Sequence, residues 1–62
     1  SESGMTTQYM GKFDKHSRLV LTAEKPARNM PARVTLRLVA KGNRLITLYE
    51  RQTASGRFLR LS

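Results

Sequence analysis

The chain has no cysteine and no tryptophan, one histidine, two tyrosines, two phenylalanines, and four acidic residues against twelve lysines and arginines. Without cysteine there is no disulfide and no thiolate-bound metal, so two common staples of small domains are closed to it. The lone His16 falls short of a metal site, which needs three or four ligands. It stands in a charged turn and reads as a solvated loop residue. Carboxylates are equally scarce. Beyond Glu2 there are Asp14, Glu24 and Glu50, and a sheet built from so short a chain has little volume in which to desolvate one as a general acid. The glycines are isolated, which excludes a phosphate-cradling loop, and neither a nucleophile motif nor a glycosylation sequon occurs. The sequence therefore predicts a protein that is not an enzyme and holds no cofactor and no metal.

Long apolar runs are also missing. A bilayer span needs roughly 18 such residues, and the longest stretch here, Leu45 to Tyr49, is interrupted by Thr47. No signal-peptide pattern opens the chain. A basic amphipathic helix, which a membrane-surface role would want, is not in the pattern either. Ser1 to Gly4, ahead of Met5, reads as a remnant of cutting or processing. Residues 5–62 then make one small β domain, or a fragment of a larger β domain. A chain of this size buries only about 60% of the surface its unfolded form exposes, so its stability should be marginal.

What the chain has in excess is positive charge, +8 overall. Residues 1–24 are balanced, and the surplus falls wholly in residues 25–62, where seven arginines and two lysines face Glu50 alone. Charge at this density repels itself and attracts polyanions. Arginine presents a planar fork suited to phosphate or carboxylate.

The hydrophobic pattern has a period of two. Val34, Leu36 and Leu38 alternate with Arg33, Thr35 and Arg37, which makes Arg33 to Val39 the clearest strand. Arg18 to Glu24 sets Leu19, Leu21 and Ala23 against Arg18, Val20, Thr22 and Glu24, after a turn at Asp14 to Ser17. Thr6 to Phe13 fits a partner strand with Thr7, Tyr9, Gly11 and Phe13 on one side, Gly11 marking a weak point or a bulge. Pro26 and Pro31 interrupt the ladder because proline has no amide proton, and Ala27 to Met30 has room for one helical turn. Leu45 to Arg51 and Phe58 to Leu61 complete the set, around a turn at Ala54-Ser55-Gly56. A helix over 44–55 competes, since Leu45, Leu48, Tyr49 and Gln52 also fall at helical spacing. The β-branched Ile46 and Thr47 favour the strand. The expected fold is all-β: a small antiparallel meander of about five strands, forming a half-barrel or curled sheet.

Register decides which side chains share a face. A three-residue loop at Lys41-Gly42-Asn43, with Asn43 left-handed, sets Leu38 opposite Ile46 and Leu36 opposite Leu48, and keeps one face apolar. Arg37 then meets Thr47, Thr35 meets Tyr49, and Arg33 meets Arg51. Arginines flanking a tyrosine on an open sheet are the materials of a single-strand nucleic-acid platform, which combines a cationic track with aromatic stacking. The expected polyanion-binding residues are Arg28, Arg33, Arg37, Arg44, Tyr49, Arg51 and Arg60, with nucleic acid or another polyanion as partner. Tyr9, Phe13 and Phe58 are expected in the core. An ordinary solvated face, its arginines guarding against edge pairing, is the plainer account of the same residues. A second class of function is a structural or protein-interaction unit. Such a unit completes its sheet as a homo-oligomer, or with strands of a parent chain, because an uncovered last strand invites pairing.

Met30-Pro31-Ala32-Arg33-Val34, Leu48-Tyr49-Glu50-Arg51 and Arg57-Phe58-Leu59-Arg60-Leu61 together resemble part of a group of uncharacterised, β-rich, lipocalin-like bacterial proteins. The resemblance covers about half of the chain. It implies a piece of a larger, exported β-barrel with no functional residues to carry over. This chain stops at Leu61-Ser62, where those proteins continue.

Overall fold

The computed structural model describes residues 6–61, which form five strands: β1 (Met10–Phe13), β2 (Leu19–Thr22), β3 (Arg33–Val39), β4 (Arg44–Gln52) and β5 (Phe58–Arg60). Each strand pairs antiparallel with its neighbour in sequence, giving one sheet in the order β1-β2-β3-β4-β5. β1 and β5 are its two edges, and the sheet is not closed. The all-β meander is therefore the observed fold. Residues 44–52 are its longest strand, and the competing helix does not form.

Two of the hairpins share one turn device. Past the last ladder pairs, the Asp14 amide donates to the Arg18 carbonyl at 2.9 Å, and the Thr53 amide to the Arg57 carbonyl at 2.8 Å. Three residues remain in each loop, and the third is left-handed: Ser17 at φ 61° and Gly56 at φ 90°. The side chain before each loop accepts from the amide four residues on. Asp14 Oδ1 takes the Arg18 N–H at 2.9 Å, and Thr53 Oγ1 takes the Arg57 N–H at 3.1 Å. Asp14 Oδ1 also takes the His16 N–H at 2.8 Å.

The β3–β4 hairpin departs from the expected register. Val39 pairs with Arg44, so the loop is the four residues Ala40 to Asn43. The left-handed conformation falls on Ala40 (φ 55°), Lys41 (φ 59°) and Gly42 (φ 86°), and not on Asn43. The Gly42 amide closes the turn onto the Val39 carbonyl at 3.1 Å. Leu38 consequently lies opposite Leu45, Leu36 opposite Thr47 and Val34 opposite Tyr49, while Arg33, Thr35 and Arg37 oppose Glu50, Leu48 and Ile46. A shift of one residue exchanges the two faces of β4, because successive side chains point to opposite sides.

The sheet has two unlike faces. Alternation and register put Phe13 of β1, Leu19 and Leu21 of β2, and Val34, Leu36 and Leu38 of β3 on one of them. β4 and β5 add Leu45, Thr47, Tyr49, Arg51 and Leu59 to the same side. Gly11 belongs there too, since a Cβ on it would meet Leu21 Cδ2 at 3.0 Å. This apolar face has no covering layer among the described residues. Phe13, expected in the core, is 71% exposed, and Leu38, Leu45 and Tyr49 are 65%, 58% and 50% exposed. Among the described residues only Ala23 and Ala32, at one end of the sheet, are buried. Near them the segment before β3 is clamped to the segment before β1: the Tyr9 hydroxyl donates to the Pro31 carbonyl at 2.7 Å, and the Ala27 amide to Thr7 Oγ1 at 2.8 Å. Between the prolines, Ala27 to Met30 makes a turn closed by the Met30 amide on the Ala27 carbonyl at 3.0 Å, with Asn29 left-handed, and not a helical turn.

Candidate functional site

The opposite face collects the charge. Its rows across the sheet follow from the register: Thr22, Arg33, Glu50 and Arg60 in one, Lys12, Val20, Thr35 and Leu48 in the next. Arg37 and Ile46 continue from Arg18, and Val39 faces Arg44. Arg37 and Arg44 are therefore diagonal neighbours, roughly 7–8 Å apart at the backbone.

Two of these arginines are engaged within the protein. Arg33 Nε donates to Glu50 Oε1 at 2.7 Å, and the guanidinium carbon lies 3.8 Å from the centroid of the Phe58 ring. The hydrogen bond from Arg33 holds the Glu50 carboxyl below its ordinary range, and the same bond raises the Arg33 guanidinium. Arg18 Nε reaches Asp14 Oδ2 at 2.6 Å. The Asp14 carboxyl is lowered chiefly by the Arg18 amide; desolvation opposes this, and the Arg18 side chain and the His16 amide add to the lowering. Between the two ion pairs, Val20, Thr35 and Leu48 floor a shallow recess of about 240 Å³.

The other cations of this face, Lys12, Arg37, Arg44 and Arg60, are exposed and make no ion pair among the described residues. Of the residues expected to bind a polyanion, Arg33, Arg37, Arg44 and Arg60 thus share one face. Tyr49 and Arg51 do not join them. The shifted β3–β4 register puts both on the apolar side, so the tyrosine flanked by arginines is not formed, and Arg33 faces Glu50 instead of Arg51. Arg28 stands exposed in the turn between the prolines, on no strand. Sequence reasoning does not single out Lys12 and Arg18, because residues 1–24 carry no net charge. Their alternation with Phe13, Leu19 and Leu21 was the available signal.

No group of three His, Cys, Asp or Glu side chains comes together among the described residues, and they form no helix long and apolar enough to cross a membrane. Comparison with protein-family models, with curated proteins and with solved structures returned no match.

Proposed function

We propose that this protein is a non-catalytic binding module that takes polyanions, nucleic-acid phosphates first among them, on the cationic face of its sheet. The observation that carries this reading is the segregation of Lys12, Arg37, Arg44 and Arg60, exposed and in no ion pair among the described residues, to the face opposite the apolar one. With Tyr49 turned away and the Phe58 ring already under Arg33, no exposed aromatic stands among these cations. Recognition is then of backbone charge and not of bases, and it carries little sequence preference.

A salt titration tests the reading. Four phosphate contacts release counterions enough for a slope of log K against log salt of about −3 on single strands. Replacing Arg37 and Arg44 together by Ala brings the slope to about −1.5, whereas Arg51→Ala and Tyr49→Ala leave it unchanged. A slope near zero, or a loss on Arg51→Ala equal to that of the double variant, removes the proposed face. Heparin and single-stranded DNA should respond to Tyr49→Ala alike.

A second reading has its own observation. The uncovered apolar face favours a protein-interaction or structural unit, since a large exposed apolar patch marks a surface that meets another. The two readings concern opposite sides of the sheet and are compatible.

A further inference from the structure

We propose that the apolar face is the interface of a homodimer, in which two copies pack face to face as a β-sandwich with their cationic faces outward. This deepens the interaction-unit reading by naming its partner as a second copy, and stands apart from polyanion binding.

Area supports it. The chain exposes 5486 Å², whereas a folded monomer of 7.1 kDa exposes about 4,100 Å² on the general scaling of surface with mass. Even if the six residues outside 6–61 were given the full unfolded-chain allowance, about 160 Å² each, and the remaining 56 were compared with a folded chain of their own mass, about 3,800 Å², a surplus of roughly 700 Å² would remain. The surplus thus lies between about 700 and 1,400 Å² per chain, bracketing the roughly 800 Å² that each partner contributes to a standard interface and reaching into the obligate range. The surplus is largely in the right place: Phe13, Leu38, Leu45 and Tyr49, each at least half exposed, all stand on this face, while Met10 (81%) and Ile46 (40%) lie on the other.

Charge decides between partners and between geometries. Two chains of +8 repel, so a dimer must keep its cations apart. The apolar face carries Arg51 as its one strand cation, whereas pairing through the β1 or β5 edge brings Lys12 or Arg60 against its own copy. Facing sheets pack about 10 Å apart with their inner side chains interleaved, which removes Leu36, Thr47 and their neighbours from water and leaves Arg37 and Arg44 outside. A face whose polar groups are only Thr47, the Tyr49 hydroxyl and Arg51 matches itself well.

The cysteine-free background gives a direct test. Thr47→Cys and Ile46→Cys place a thiol at adjacent positions on opposite faces. Sedimentation equilibrium of the unmodified chain should give twice the monomer mass. Thiol labelling of Thr47→Cys should slow at least 10-fold between dilute and concentrated protein, while Ile46→Cys labels at one rate throughout. The thermal midpoint should rise with protein concentration, as it does when association stabilises the fold. A folded monomer at about 100 μM would overturn the proposal, as would a chain unfolded at every concentration, or a dimer in which both thiols are equally protected. A monomer that binds DNA with the salt dependence above refutes the dimer while sparing the cationic face.

Discussion

Ala40 and Lys41 hold left-handed backbone without being glycine or asparagine, and each such placement costs an L-residue about 1–2 kcal/mol. Asn tolerates this region because its short amide bonds locally, so Ala40→Asn should stabilise the hairpin by about 0.5–1 kcal/mol in urea denaturation. No gain would mean that the loop takes another form in solution. Glu50 gives a second residue-scale expectation. Its folded pKa lies below the unfolded value, so the stability it adds is present above about pH 4.3 and is lost as pH falls through the folded pKa. Glu50→Gln should cost about 1 kcal/mol at neutral pH, since it leaves a half-buried guanidinium with a weaker acceptor. It should also flatten the stability curve on the acid side, below about pH 5. An unchanged acid limb would place the titration elsewhere, with Asp14, which is shifted in the same direction, as the next candidate.

Strands were more legible than the turns that join them. The alternation of Val34, Leu36 and Leu38 with Arg33, Thr35 and Arg37 placed β3 at its observed bounds, and the period of two located the other four strands within a few residues. Register was not legible at β3–β4, because the apolar residues of β4 fit either face: Leu45 and Tyr49 on one, Ile46 and Leu48 on the other. Gathering the most apolar pairs gives the wrong register; the observed one closes Val39 on Gly42 with left-handed backbone at Ala40 and Lys41, residue types that do not announce such a turn. The Tyr49 and Arg51 site fell with that step, while Arg33, Arg37 and Arg44 kept a common face. The repeated three-residue loop offers a test at this scale. Ser17 occupies the position that Gly56 fills in the β4–β5 loop. Ser17→Gly should therefore stabilise the β1–β2 hairpin by about 0.5–1 kcal/mol, read as slower hydrogen exchange of the Asp14 amide, which closes that hairpin on the Arg18 carbonyl. Faster exchange would show that the serine side chain contributes more than its backbone costs.

At the scale of the whole molecule, charge opposes compaction and apolar surface favours association. Two ion pairs are weakened by salt, but the repulsion among an excess of eight cations is the larger long-range effect, and it is screened over about 10 Å at 0.1 M ionic strength. The thermal midpoint should therefore rise as salt goes from about 10 to 150 mM, in the same range where polyanion affinity falls. A falling midpoint would assign the net electrostatic contribution to the ion pairs.

Among the described residues only two alanine side chains are buried, and this has an evolutionary consequence. In most domains, packing restricts which amino acids a position accepts; here that restriction is slight within the chain, and the proposed second copy would supply it on the apolar face. A saturation scan for solubility and fold should find its intolerant positions at Ala23 and Ala32, at the left-handed loop residues, and along one side of the sheet. The pattern of tolerance would be a footprint of the neighbour.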